Sequence, residues 1–242
     1  MRTKKELLII FGNQLKILGV NFNIVTKQDL LQIINYRCSH KHTAFTHPNC
    51  YRKDSSVGIE KIVCLDIETT NMDADFGIAI SWAIKPIGGA VVNDCITLDD
   101  IEKDIGDKRV IQTLVEQLRK YTRIVTHYGT YFDISFVRTR AVHWGLDFPA
   151  YNEIYHTDVW KIAKRKLKLH SNRQGSVAET ILGQNVKTRI HPHIWSKVCF
   201  GSSAAKQKAL NYVIDHNIKD VVQLEKLYLA LRKFVREGRN SI

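Results

Sequence analysis

A short apolar run that ends in two acids constrains this chain more than any other feature. Residues 62–68 read Ile-Val-Cys-Leu-Asp66-Ile-Glu68, an apolar segment with β-branched residues that suits a buried central strand. On a strand, residues i and i+2 face the same side, so Asp66 and Glu68 present their carboxylates together. Two like charges there are costly to bury unless a cation compensates them. Oxygen-only ligands select hard ions such as Mg²⁺ or Mn²⁺. A bare Asp-x-Glu could equally be two solvated acids at an ordinary strand end, so the surroundings must decide.

The surrounding pattern builds a sheet for this strand. Further strands are expected at 77–85, 90–98, 123–126 and 154–158, with a turn at Pro86-Ile-Gly-Gly89. Helices are expected at 108–121, where Val110, Ile111, Leu114, Val115 and Leu118 recur at helical spacing, and at 132–144, with mainly helix from there to residue 238. Strands interleaved with helices in this order indicate an α/β domain.

The first 58 residues form a separate appendage, leaving 59–242 as the larger domain. Thr3 with Glu6, and Thr26 with Asp29, sit at capping-box spacing ahead of two short amphipathic helices, though Asp29 replaces the usual Glu or Gln. A helical hairpin over a core is favoured over a degenerate helix-turn-helix, because no basic recognition face is evident.

Composition narrows the class. The chain carries 36 Lys and Arg against 24 Asp and Glu, a formal net charge of +12, which suits a polyanionic partner, most often nucleic acid. With 44% hydrophobic residues it can fill a core, which excludes disordered, collagenous and disulfide-stapled classes. No apolar run approaches the ~18 residues of a membrane span, and Leu7-Leu-Ile-Ile10 is too short for a signal peptide. Five cysteines without an export signal suggest the reducing cytoplasm, with no membrane association.

Two later segments give the acids company. Ile124-Val-Thr-His127-Tyr-Gly129-Thr-Tyr-Phe-Asp133 runs from a strand into a helix carrying Asp133, and Tyr212-Val-Ile-Asp215-His216-Asn-Ile-Lys-Asp220 places His216 and Asp220 one helical turn apart. Taken with residues 61–71, these segments resemble the three exonuclease motifs of the DEDD superfamily, on a ribonuclease-H-like fold. The resemblance covers about residues 60–235. Its C-terminal part is most similar to the YprB-type RNase H-like family, in Ser176-Val-Ala-Glu179-Thr-Ile-Leu-Gly183, Lys187-Thr188 and Asn217-Ile-Lys-Asp220-Val-Val-Gln-Leu.

The resemblance implies a mixed five-stranded sheet flanked by helices, and makes Asp66, Glu68, Asp133 and Asp220 the ligands of two Mg²⁺ or Mn²⁺ ions. It puts His216 where the family's His or Tyr addresses the attacking water, as general base or as water-positioning group. The spacing departs from the His-type members: His216 precedes Asp220 by four residues rather than five, the Tyr-type spacing. Tyr212 is the rival for this role. Asp215 rivals Asp220 but lacks the Val-Val-Gln-Leu helix register that follows Asp220, and reads as surface. The implied activity is a two-metal 3′–5′ exonuclease on single-stranded DNA or RNA. The alternatives are a structure-specific endonuclease using the same site, or a non-catalytic nucleic-acid-binding module, which would need none of these acids. The chemistry agrees with the nuclease reading, since phosphodiester hydrolysis needs charge stabilised on both attacking and leaving oxygens.

Nucleic-acid contacts are expected from Thr69, Thr70 and Asn71, from His127, Tyr128 and Tyr131, and from the basic run Lys161, Lys164, Arg165 and Lys168, together with Lys187. Trp195 is either a further stacking residue or core. A replication or repair protein is the expected protein partner, since no polymerase segment fits within 242 residues. Cys38, His40, His42, His47 and Cys50 fall within thirteen residues and offer the soft and borderline donors that Zn²⁺ takes in structural sites. Cys38, His47, Cys50 and one of His40 or His42 would make a set of four; a polar loop with two free thiols is the alternative. Cys64 and Cys95 read as core.

Overall fold

The computed structural model describes residues 2–18, 20, 22, 25–38, 40–48, 51, 60–103, 106–184, 191–235 and 241–242. It divides into two compact units, Met1–Glu60 and Lys61–Ile242.

In the first unit, α1 (Lys4–Ile17) and α2 (Lys27–Asn35) both start with complete capping boxes. The Thr3 hydroxyl accepts from the Glu6 N–H at 3.3 Å while Glu6 accepts from the Thr3 N–H at 2.6 Å. Asp29 serves the Thr26 N–H in the same way at 2.8 Å, so the shorter carboxylate closes the box. Leu7, Leu15, Leu30, Ile33, Tyr36 and Tyr51 form this unit's core. Both helices stand where the capping spacing placed them.

The second unit is built on the expected mixed α/β plan. Its five-stranded sheet has the order β3-β2-β1-β4-β5, with β1 (Ile62–Thr69), β2 (Ala79–Pro86), β3 (Val92–Cys95), β4 (Arg123–Thr126) and β5 (Tyr155–Asp158). The pairs β1–β2 and β2–β3 are antiparallel, whereas β1–β4 and β4–β5 are parallel. The acid-bearing strand therefore lies at the centre. Its alternation separates two cores: Val63, Leu65 and Ile67 pack with Val110, Ile111 and Leu114, and Cys64 with Val125, Val159, Leu224 and Tyr228. Asp66 and Glu68 share the parity of Cys64.

Among the described residues the helices of this unit are, in chain order, α3 (Leu98–Glu102), α4 (Lys108–Leu118), α5 (Asp133–His143), α6 (Val159–Lys166), α7 (Gln174–Leu182), α8 (Pro192–Phe200) and α9 (Ser203–Leu231). The third strand is shorter than the expected 90–98. It stops at Cys95 because Thr97 caps α3, with a capping box in which Asp100 accepts from the Thr97 N–H at 2.8 Å. Leu98 is thus helical. Among the described residues, no helix is long and apolar enough to cross a membrane.

Candidate active site

Three parallel strands end on one edge of the sheet, and the polar residues gather there. Asp66 and Glu68 lie near the C-terminal end of β1, where the pairing with β2 slips between Glu68 and Thr69. Such a bulge bends the strand and re-aims its side chains. Asp133 is the first residue of α5 and is 4% exposed. A helix N-terminus favours a carboxylate, and Asp133 Oδ1 accepts from the backbone N–H of Ile67 at 3.3 Å. That bond ties the second motif to the stretch of β1 between the two acids.

The long helix α9 supplies the third part. His216 Nε2 lies 3.6 Å from Glu68 Oε1 and 3.6 Å from Asp220 Oδ2. Ligand atoms of Glu68, His216 and Asp220 all fall within 4.8 Å of one another. His216 and Asp220 are buried, so their encounter with Glu68 takes place out of bulk water. One turn back, Tyr212 is 41% exposed. Asp215 pairs with Lys219 at 3.1 Å on the exposed side of the helix, as its register suggested.

Asn217, a residue the sequence reading gave no role, anchors Asp66. Its Nδ2 donates to Asp66 Oδ2 at 2.6 Å, and its Oδ1 accepts from the Ser81 hydroxyl at 3.2 Å. The Ser81–Asn217–Asp66 chain joins β2, α9 and β1 at the site. Gln174, buried on α7, donates to the carbonyl of Asp220 at 3.0 Å and steadies the helix at that carboxylate. As a donor set, the carboxylates of Asp66 and Glu68 on β1, Asp133 at the start of α5 and Asp220 on α9 fit hard divalent cations.

A second cluster lies where β4 and β5 end. Asp158 accepts from the N–H groups of Tyr128 and Thr130, at 2.9 and 3.1 Å, and caps α6 through the Trp160 N–H at 3.0 Å. Tyr128 is held at φ 73, a conformation that a bulky residue adopts only when its surroundings impose it. Gly129 follows of necessity, since a Cβ there would overlap the Thr126 side chain. The rings of Tyr128, Tyr131 and Trp160 meet with centroids 5.0–5.9 Å apart. Lys161 Nζ stands 5.2 Å above the Tyr131 ring and Lys164 Nζ 4.7 Å above Trp160. Because β1, β4 and β5 are parallel, this cationic aromatic group shares the sheet edge with the acids.

Other expected contacts fare variously. Of the basic run, Lys161, Lys164 and Arg165 lie on α6, which ends at Lys166, and Lys168 lies in the loop beyond. The Thr69 hydroxyl donates to the Asn71 carbonyl at 2.6 Å and the Thr70 hydroxyl accepts from the Ile78 N–H at 3.0 Å, so both also shape the turn after β1. His127, directly after β4, is partly buried, and Trp195 packs against the core. Lys187 and Cys50 lie outside the described residues. Cys38, His40 and His42 come together, with ligand atoms within 4.8 Å of one another. Burial pushes the thiols of Cys64 and Cys95 up; Cys64 is a core residue as expected, whereas Cys95, at the end of β3, is only half-buried.

A family model described as RNase_H superfamily matches residues 63–232. No curated protein matches the chain. Among solved structures, the family B DNA polymerase from the hyperthermophilic archaeon Pyrobaculum calidifontis is similar in fold, with a TM-score of 0.54 at 18% identity. The likeness covers 71% of this chain and 25% of the polymerase chain.

Proposed function

This chain belongs to the RNase_H superfamily, and on that premise we propose that it is a metal-dependent nuclease, a 3′–5′ exonuclease acting on single-stranded nucleic acid. The observation that carries the reading is the convergence of three sequence-distant segments on the end of β1. Glu68, His216 and Asp220 meet within 4.8 Å, Asp133 bonds the backbone of Ile67, and Asp66 is fixed by Asn217. A non-catalytic module has no use for such a group of buried and half-buried acids, which is expensive to maintain.

Asp66, Glu68, Asp133 and Asp220 would hold the cations. When bound, a pair of such ions stabilises charge on the attacking and leaving oxygens of the phosphodiester. The chain's own part is proton handling and positioning. His216 Nε2 faces Glu68 and Asp220 equally, at 3.6 Å; it takes the proton of the attacking water or holds that water in line, and two carboxylates stabilise the resulting imidazolium. Asn217 and Gln174 fix the Asp66 carboxylate and the Asp220 backbone. Tyr128, Tyr131 and Trp160 stack unpaired bases, while Lys161, Lys164, Arg165 and Lys168 meet the phosphates.

The deciding experiment uses single- and double-stranded DNA and RNA labelled at either end, incubated with Mg²⁺, Mn²⁺ or EDTA. Stepwise shortening of 5′-labelled single strands, abolished by EDTA, is the expected outcome. Internal cuts at branched or flapped sites would replace it with the endonuclease reading. Binding without cleavage under every metal condition would overturn it in favour of a binding module.

A further inference from the structure

The first unit carries a chemistry that the nuclease does not use. Its loop after α2 turns tightly on itself: the Lys41 N–H donates to the Cys38 carbonyl at 2.8 Å, and the Cys38 N–H donates to the His42 carbonyl at 3.1 Å. Lys41 sits at φ 66, in the left-handed region that long side chains avoid. This turn brings three donors, each two positions from the next, to one point. Cys38 Sγ is 3.9 Å from His40 Nδ1, and donor atoms of Cys38, His40 and His42 all lie within 4.8 Å of one another.

Those separations suit one particular ion. Zn–S of about 2.3 Å and Zn–N of about 2.0–2.1 Å in a tetrahedron put neighbouring ligand atoms about 3.4–3.6 Å apart, so the cluster needs only small side-chain rotations to close. A thiolate with imidazoles is the borderline-soft set that Zn²⁺ takes, and a poor one for Mg²⁺. A fourth side chain stands next to them. Thr43 and Thr46 bond reciprocally, at 2.9 and 3.0 Å, and the His47 N–H donates to the Thr43 carbonyl at 3.1 Å. This second turn sets the His47 ring beside His42, tilted by 59° with ring centroids 4.8 Å apart.

We propose that Cys38, His40, His42 and His47 hold one structural Zn²⁺ in the N-terminal unit. The Cys38 thiol loses its proton to solvent on binding, and the imidazoles bind neutral. The ion would staple a small unit whose core is limited, the usual role of metal in domains of this size. The proposal does not depend on the nuclease reading.

Metal analysis of the untagged full-length chain, desalted after expression with ample zinc, is expected to give about one zinc per chain. His40→Ala with His42→Ala changes two exposed side chains and should abolish it without disturbing the core. His47→Ala should retain zinc only until a weak chelator is added. With Co²⁺ substituted, the thiolate-to-cobalt absorption should vanish in Cys38→Ser. Asp220→Asn should keep its zinc. A zinc-free wild type, a full equivalent in the double histidine variant, or loss of zinc in Asp220→Asn instead, would overturn the proposal.

Discussion

Asn217 Nδ2 donates a 2.6 Å hydrogen bond to Asp66 Oδ2, joining a fully buried amide on α9 to an acid on β1 across 151 positions of sequence. The amide leaves Asp66 one oriented carboxylate edge, as groups behind metal ligands commonly do. Removing such partners typically costs 10–100-fold in metal affinity or activity. Asn217→Ala should therefore raise the Mg²⁺ concentration needed for half-maximal cleavage by about that factor, with circular dichroism unchanged. An unchanged Mg²⁺ requirement would reduce Asn217 to a packing residue.

The four acids should behave as a unit. Asp133→Asn preserves shape and an acceptor for the Ile67 N–H but removes a charge, so a large loss isolates the charge itself. Orders of magnitude in kcat/KM are expected, corresponding to several kcal/mol of transition-state stabilisation. Near wild-type turnover in Asp133→Asn would contradict the assignment of this residue.

His216 offers a sharper test, because its two candidate roles diverge. As general base, its loss in His216→Ala should slow hydrolysis by roughly 10²–10⁴-fold with substrate affinity little changed. The acidic limb of the pH–rate profile should disappear with it. His216→Tyr separates the roles: substantial activity there, with loss in His216→Ala, identifies water positioning rather than proton transfer. Full activity in His216→Ala would exclude both and turn attention to Tyr212.

What could be read from sequence was whatever is written in local periodicity. Alternation in residues 62–68 placed Asp66 and Glu68 at positions of one parity on β1, and one-turn spacing placed His216 with Asp220, which stand 3.6 Å apart. The capping boxes at Thr3 and Thr26 placed two helices, and the same rule applied to Thr97 and Asp100 would have found α3. Asn217, Asp158 and Gln174 were missed because their partners lie 28 to 151 positions away, and a lone Asn or Asp carries no local sign of such a bond. Trp160 escaped notice for another reason. Among lysines at the start of an amphipathic helix it resembles a core residue, and only the Asp158 cap, shared with the Tyr128 turn, places it against Tyr128 and Tyr131.

Asp107 and Arg140 illustrate the same blindness and carry a stability prediction. Fully buried, Asp107 accepts from Arg140 Nε and Nη2 at 2.9 and 2.7 Å, from Trp144 Nε1 at 2.7 Å and from the Ala79 N–H at 2.8 Å. Removing the carboxylate strands a buried guanidinium. Asp107→Ala should destabilise the second unit by about 3–5 kcal/mol, measured by urea denaturation. Asp107→Leu combined with Arg140→Met should recover part of that loss, since the unpaired charge is gone. Equal destabilisation by the single and double variants would refute the charge-stranding account.

Stability below neutral pH should depend on His156. Its Nε2 lies 2.8 Å from Thr126 Oγ1, and burial lowers its pKa from 6.5 to about 4, with Lys161, Arg123 and Arg138 adding repulsion and Asp158 opposing them. The folded chain keeps this imidazole neutral, whereas the unfolded chain protonates it as pH falls through 6.5. Protons therefore favour the unfolded state, and stability present at pH 7 is lost progressively as pH falls toward 4. Between pH 7 and pH 5 the loss from this group should reach about 2 kcal/mol. In His156→Gln the amide cannot titrate, so its unfolding free energy should fall by that much less over the same interval, whatever its absolute stability. Parallel pH dependences for wild type and His156→Gln, measured by urea denaturation at several pH values, would show that another group carries the acid sensitivity.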